Sequence, residues 1–232
     1  MKRSVVTKLM LVILIFVSVA WTSQLGYVVA EKNSKPFVYK TLIKKKKIVG
    51  DKCTIKVKQS YRYVQLKGTS AKIKNINKKL KKLAKEYMKD CGAFELAKEA
   101  ADVNYGGDEY FEQGTQAVSY LSDKIISVHI KEVYYVGFGG HASETGVIYN
   151  LGTGKRIKKI TSVSRIKKLS QVKVALIVKL EKKGMESYVE TLLNKKSTDF
   201  DFYINKKGNI TVCINDYDPL VEKLYLKGAR WL

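Results

Sequence analysis

The feature that most constrains this fold is a glycine-rich corner between two strand-like runs. β-branched and aromatic residues dominate residues 125–136, which lead into Gly137, Gly139 and Gly140. A second apolar run, residues 147–151, leaves the corner and meets a Gly-Thr-Gly-Lys turn. Runs of this composition bounded by glycine turns are typical of antiparallel strands. The sequence therefore predicts a long hairpin in the middle of the chain.

Hydrophobic periodicity on both sides of this hairpin adds helices to the strands. Apolar residues recur at helical spacing through residues 73–88, and Ser70 lies where a hydroxyl would cap the first turn. Further helical patterns and strand patterns flank them. The predicted helices cover residues 94–101, 163–180 and 185–193, and the predicted strands cover residues 51–66, 117–121, 199–205 and 209–215. This mixture predicts an α+β fold, with helices packed on one face of antiparallel sheet in two intimately packed subdomains.

The order of these segments suggests four regions. Residues 1–30 resemble a signal peptide or an N-terminal membrane anchor, and residues 31–50 form a basic tether. Residues 51–115 form an N-terminal subdomain, and residues 116–232 form a C-terminal subdomain that contains the glycine corner.

The first thirty residues indicate export. Lys2, Arg3 and Lys8 precede an apolar run over residues 9–20, and Ala30 ends a Val-Val-Ala segment that suits a signal peptidase. Because the apolar character continues to Ala30, an uncleaved membrane anchor is the alternative. Both interpretations predict an extracytoplasmic protein, either secreted or held at the outer face of the cytoplasmic membrane.

Charge points to an anionic neighbourhood. The chain carries 44 basic and 21 acidic residues, a net charge of +23. In an exported protein this excess favours wall polymers such as teichoic acids, an anionic membrane surface or an acidic partner. Export argues against nucleic acid. The alternative is that the charge only reflects a lysine-rich composition of the source genome. The lysines are spread through the chain, and only residues 44–47 form a run, within the predicted tether.

The three cysteines allow one disulfide and one remaining thiol. We expect Cys53 and Cys213 to be buried thiols, and any bridge that does form to join Cys53 to Cys91. The cysteines lack the spacing of a zinc site, so the sequence predicts neither a metal nor another cofactor.

Candidates for catalysis are few. His141 follows the glycine corner, with Glu144 available to orient its imidazole and Ser143 as the neighbouring hydroxyl, but no nucleophile elbow surrounds them. A metal at His141 would need Asp216 or Asp218 as a further ligand. The remaining acidic cluster is expected to lie in a solvated loop. Its members are Asp102, Asp108, Glu109 and Glu112.

The pattern of Tyr, double Gly and His, followed by an apolar strand and Asn-Leu-x-Thr-Gly-Lys, resembles a family of bacterial extracytoplasmic domains. That family occurs in the lysozyme-sensing anti-sigma factor of bacilli and beside the catalytic domain of a peptidoglycan deacetylase. The resemblance covers most of residues 51–232, whereas residues 226–232 depart from the family's usual glycine-proline ending. It implies a binding or sensing module in a Gram-positive cell envelope.

These observations predict an exported, non-enzymatic envelope protein that binds an anionic wall polymer or an envelope-active protein. The polymer ranks first, because a basic partner such as lysozyme would be repelled. The alternative is a wall-glycan hydrolase or deacetylase accessory that uses His141. Tyr135 and Tyr217 match aromatic positions of the family, and His141 and Lys155 lie at the two ends of the hairpin, so these four are the candidate binding residues. We expect Tyr217 and His141 on one side of the C-terminal sheet, unless Tyr217 is a core anchor.

Overall fold

Two sheets organise the computed structural model, which describes residues 35–89, 91–103, 109–137, 139–215 and 222–226. The larger sheet has six strands in chain order and the smaller has three. The strands are β1 Phe37–Val49, β2 Thr54–Leu66, β3 Glu109–Leu121, β4 Ile125–Val136, β5 Gly139–Asn150, β6 Arg156–Ile157, β7 Asp201–Ile204, β8 Ile210–Ile214 and β9 Glu222–Leu226. The helices are α1 Ala71–Tyr87, α2 Gly92–Val103, α3 Ile160–Val163, α4 Leu169–Glu181 and α5 Val189–Asn194, and a 3₁₀ turn covers Glu186–Tyr188.

The helices cover one face of each sheet. One face of the six-stranded sheet packs against α1 through Ile76, Leu80 and Ala84, and α2 extends this layer. The opposite face at β4 and β5 meets the three-stranded sheet, and Ile125 and Ile148 share one core with that sheet and with α4. This confirms the predicted α+β class with two closely packed parts.

One connection departs from the antiparallel rule. β2 and β3 run parallel, and the chain between them forms α1 and α2. Such a crossover needs a long connection, usually helical, because parallel strands begin at the same end of a sheet. The remaining neighbours pair antiparallel, including the β4–β5 hairpin at the glycine corner.

The prediction of a tether through residue 50 is wrong from Phe37 onward. Residues 37–49 form β1, which pairs with β2 along its whole length. Strand alternation is hidden there because β1 is an edge strand, in which Leu42 is half-buried and Ile48 is buried while the lysines are exposed. The predicted subdomain boundary between residues 115 and 116 falls inside β3.

Local patterns located the other elements well. α1 begins after Ser70, whose hydroxyl oxygen accepts a hydrogen bond from the Ile73 amide at 3.3 Å. The pattern over residues 163–180 divides into α3 and α4. β9 was not predicted. Among the described residues, no helix combines the length and the apolar character that crossing a bilayer requires.

Candidate functional site

A row of four side chains crosses the first four strands of the larger sheet. Lys45 on β1 lies opposite Lys58 on β2, Lys58 lies beside Phe111 on β3, and Phe111 lies opposite Tyr135 on β4. Residues in direct cross-strand register project from the same face. With neighbouring strands about 4.8 Å apart, the row places two cations next to two aromatic rings.

Lys45, Lys58 and Phe111 of this row form part of the wall of an open groove of about 640 Å³. The groove is on the face opposite α1 and α2, because the side chains alternating with the row are engaged on the helical side. Val57 and Tyr110 pack into the α2 cluster, and Glu112 accepts a hydrogen bond from the Ala93 amide at 2.9 Å. We call this surface the lysine–aromatic groove. Its side chains come from Lys45, Lys47, Lys56, Lys58, Ser60, Phe111 and Gln113, with Tyr135 alongside.

Lysines dominate the charge of the groove, and Glu109 is the acidic residue in register with one of them, Lys56. Lys45, Lys47, Lys56 and Lys58 are exposed, and no described carboxylate forms an ion pair with them. Like charges directly opposite each other on a sheet are destabilising. Because strand alternation divides the lysine run, Lys44 and Lys46 instead lie over the Phe94 ring, at 4.9 and 5.9 Å. The groove is therefore suited to an anion.

The aromatic half of the groove is ordered by stacking. The Phe111 and Tyr135 rings are 5.6 Å apart with an interplanar angle of 19°, and both residues are half-buried. A stacked pair that is partly open to solvent offers an apolar surface, such as the C–H face of a sugar needs, beside the lysines. Tyr135 is thus the predicted site residue that lies beside this groove, stacked on Phe111.

His141 is on the other face. It lies opposite Tyr134, whereas Tyr135 lies opposite Gly140, so Tyr135 and His141 project in opposite directions. The His141 and Tyr134 rings are 5.7 Å apart. Glu144, which could have oriented His141, is engaged elsewhere. The structure therefore does not assemble the predicted His141–Glu144 pair.

Lys155 lies far from both Tyr135 and His141. It is exposed in the turn after β5, and roughly 30 Å of strand separates this turn from the His141 end. The four predicted binding residues therefore do not converge on one site. Tyr217 is outside the described residues, as are Asp216 and Asp218, so the placement of Tyr217 beside His141 stays a prediction.

A buried charged cluster between the two sheets was missed by sequence reasoning. The Glu144 carboxylate accepts hydrogen bonds from His129 Nε2 at 2.6 Å and from Lys223 Nζ at 2.8 Å. Glu144 is 6% exposed, and the Tyr203 ring stacks on His129 at 4.3 Å. Since Lys223 is 79 residues further along the chain than Glu144, no local pattern could reveal the cluster.

The electrostatics of the cluster favour neutral His129 and ionised Glu144. Burial lowers the pKa of His129, and this effect outweighs the nearby Glu144 carboxylate. Burial alone would raise the pKa of Glu144, but the hydrogen bond from Lys223 and the contact with His129 lower it. Burial likewise opposes the Lys223 charge, but Glu144 raises the pKa of that ammonium.

Asn215 and Gly146 also lie where the two sheets meet. The Asn215 side chain accepts from the Glu144 amide at 2.8 Å and donates to the Glu144 carbonyl at 2.9 Å. A Cβ at Gly146 would lie 2.2 Å from the Phe202 carbonyl oxygen, so glycine allows β7 to approach β5. A glycine inside an apolar strand was the one sequence signal of close backbone contact here.

The acidic cluster and the cysteines also differ from expectation. Glu112 is buried at 8% exposure, and Gln59 donates to its carboxylate at 3.1 Å, because β3 begins at Glu109 where a solvated loop was predicted. Asp102 Oδ1 accepts from the Asp51 amide at 3.3 Å, and Asp108 is outside the described residues. Cys53, Cys91 and Cys213 are free thiols. The predicted Cys53–Cys91 bridge is therefore not formed. The burial of Cys213 is confirmed, whereas Cys53 is half-buried and not buried as predicted.

Comparison with known proteins identifies the fold. No protein-family model matches the sequence, and no curated protein matches it. A solved structure from Bacteroides fragilis NCTC 9343 is similar with a TM-score of 0.55 at 14% identity, over 84% of this chain and 92% of that chain. One from Pseudomonas aeruginosa PAO1 has a TM-score of 0.50 at 9% identity, over 82% of this chain and 90% of that chain. Both are DUF3298 family proteins.

At these identities the similarity extends to the fold alone. DUF3298 is a domain family without an assigned function, which agrees with the coarse part of the predicted resemblance. The comparisons do not link the chain to the anti-sigma factor or to the deacetylase. The site must therefore be interpreted from its own residues.

Proposed function

We propose that this chain is an exported, non-enzymatic binding protein of the cell envelope, and that it holds an anionic wall polymer in the lysine–aromatic groove. The observation that carries this proposal is the row Lys45–Lys58–Phe111–Tyr135, which places two exposed cations beside two stacked rings on one face. Extracytoplasmic location is an expectation from the basic and apolar N-terminal residues, which are outside the described residues.

The chemistry of the groove fits a polymer that combines phosphate with sugar or polyol. A phosphodiester over Lys45 and Lys58 would relieve the repulsion between the two ammonium groups and release bound counterions. A neighbouring sugar ring would cover the partly open Phe111 and Tyr135 rings. Teichoic acids have this composition, whereas a strongly basic envelope protein would be repelled by the net charge of +23.

Binding to purified cell wall tests the proposal. We expect wild-type protein to co-sediment with wall that retains teichoic acid, and to do so less as salt is raised. Wall stripped of teichoic acid should retain much less protein. Equal retention by both wall preparations, or binding that does not respond to salt, would contradict the proposal.

A charge-matched pair of variants locates the site. Lys45→Gln with Lys58→Gln should weaken wall binding and reduce the slope of log K against log salt by about one to two. Lys78→Gln with Lys81→Gln removes the same charge from the exposed side of α1 and should change binding little. If the two double variants lose the same affinity, binding depends on net charge and not on the groove.

Export is tested separately. Cell fractionation followed by mass spectrometry of the mature N-terminus should recover the protein outside the cytoplasm, either cleaved near Ala30 or retained at the membrane. Recovery from the cytoplasm with an intact N-terminus and no membrane association would exclude an envelope function.

A further inference from the structure

A second basic cavity lies at the other end of β5. The turn between β5 and β6 borders a cavity of about 490 Å³. Its wall contains four cations and two hydroxyls, with no carboxylate among the residues that line it. We call these six residues the turn site: Thr153, Lys155, Arg156, Lys158, Lys159 and Ser162. All four cations are exposed, and none forms an ion pair with a described carboxylate.

The turn itself is held in one conformation. The Asn150 amide donates to the Lys155 carbonyl at 3.0 Å, and the Gly154 amide donates to the Asn150 carbonyl at 2.8 Å. The Asn150 side chain accepts from the Thr153 amide at 2.9 Å. Gly154 has φ of 67°, a conformation that glycine adopts without strain. Lys155 and Arg156 are therefore presented from a closed turn.

The turn is also anchored to α1. Asn75 Nδ2 donates to the Gly154 carbonyl at 3.1 Å, and a Cβ at Gly154 would lie 3.1 Å from the Lys72 carbonyl oxygen. A site built on regular elements that are fixed to each other needs little reorganisation when it binds. The backbone of the turn is thus fixed relative to α1 beside Lys155.

A smaller cavity of about 290 Å³ adjoins the first. Arg156, Ile157 and Lys158 line both cavities, and Thr198 lines the smaller one. Arg156 and Lys158 therefore border both cavities. A guanidinium can bind phosphate through two parallel hydrogen bonds, and Lys158 adds a point charge beside it. This combination favours phosphate groups over neutral sugars.

The turn site and the lysine–aromatic groove are too far apart to be one site. Gly140 marks the level of the groove on β5, because it lies opposite Tyr135. Asn150 ends the same strand at the turn. Ten residues of strand correspond to about 30 Å, so a ligand of a few atoms cannot contact both surfaces.

We infer that the turn site is a second phosphate-binding site, which makes the protein bivalent for the anionic polymer. The inference rests on the proposed function for the identity of the ligand, but it concerns different residues. Two sites joined by a rigid sheet bind two segments of a polymer more tightly than either site alone, because the second contact is intramolecular. They also allow one protein to join two polymer chains.

Titration with inorganic tripolyphosphate tests the number of sites, because this probe is too short to connect them. Isothermal titration calorimetry should give two equivalents for the wild type. Arg156→Gln with Lys158→Gln should give one, and Lys45→Gln with Lys58→Gln should also give one. The control pair Lys78→Gln with Lys81→Gln should keep two. Circular dichroism and the thermal midpoint establish that each variant is folded, and Lys155→Gln with Lys159→Gln provides a second variant of the turn site.

The outcomes separate this inference from the proposed function. One equivalent in the wild type that disappears only with the Lys45 and Lys58 substitutions overturns the turn site and leaves the groove. One equivalent that disappears only with the Arg156 and Lys158 substitutions supports the turn site and overturns the groove. No binding overturns both. With purified teichoic acid, only a protein with both sites should cross-link chains and raise turbidity, and equal turbidity from either variant would overturn bivalency.

Discussion

The imidazole Nε2 of His129 lies 2.6 Å from the Glu144 carboxylate oxygen, on the face of β4 and β5 that meets β7 and β9. Lys223 on β9 reaches the same oxygen at 2.8 Å. This cluster therefore joins the two sheets through charge in addition to apolar packing. Removing one partner from such a buried cluster lowers the free energy of unfolding more than removing one partner of a surface ion pair, because the remaining charge stays desolvated.

The His129–Glu144 contact predicts a loss of stability in acid. Burial lowers the pKa of folded His129, so below about pH 6.5 the unfolded chain binds more protons and the free energy of unfolding falls. The lowered pKa of Glu144 extends the loss below about pH 4.3. We expect the thermal midpoint to decrease from pH 7.5 towards pH 4.5. In His129→Gln the midpoint should change less with pH between pH 7 and 5.5 than it does in the wild type.

The control for this pH profile is His141→Gln. It removes the other histidine while the His129–Glu144 contact stays intact, so a pH dependence that comes from this contact should persist. One titrating group changes stability by at most about 1.4 kcal/mol per pH unit. A wild-type midpoint that is constant from pH 7.5 to 5.5, or an equal slope in His129→Gln, would contradict the role of His129.

The side chain of Asn215 is predicted to stabilise the junction of the two sheets. Asn215→Ala removes both hydrogen bonds to the Glu144 main chain and should lower the free energy of unfolding by about 1–3 kcal/mol. The thermal midpoint should fall by roughly 2–4 °C for each of these kcal/mol. Asn194→Ala is the matched control, because Asn194 is exposed at the end of α5. Equal thermal midpoints for the two variants would show that the Asn215–Glu144 contact contributes nothing to stability.

Close packing at Gly146 predicts sensitivity to a single methyl group. In Gly146→Ala the new Cβ would lie 2.2 Å from the Phe202 carbonyl oxygen and 2.6 Å from Tyr203 Cβ, so β5 and β7 must separate. We expect a loss of about 1–3 kcal/mol or more in urea denaturation. Gly139→Ala in the same strand has no atom within 4 Å of the new Cβ and should be tolerated. If Gly146→Ala unfolds at the same urea concentration as the wild type, the close packing at Gly146 does not limit stability.

The three cysteines are predicted to remain reduced. Burial raises the pKa of Cys91 to about 11 and that of Cys213 to about 12, so both thiols lack the reactive thiolate near neutral pH. Titration with a thiol reagent should find three thiols in denatured, unreduced protein. In the native protein Cys213 should react last. Finding one thiol instead of three after denaturation would contradict this prediction and would show that two of the cysteines form a disulfide.

Much of the local structure is readable in the sequence. The apolar spacing and the Ser70 hydroxyl define α1, and glycine turns define the β4–β5 and β7–β8 hairpins. These signals work because helices and hairpins are formed by hydrogen bonds between residues that are near each other in the chain. The high positive charge predicts an anionic ligand, and this stays a prediction.

Only the tertiary structure decided which residues meet. β1 is masked by its lysines, and it becomes recognisable only when it pairs with β2. The parallel register of β2 and β3 brings Lys58 beside Phe111, and Asn215 binds Glu144 across 71 residues of sequence. The sequence by itself determined the periodic elements and the charge, because these depend on local composition. The groove, the turn site and the buried cluster depend on register and packing between distant segments, which local composition does not encode.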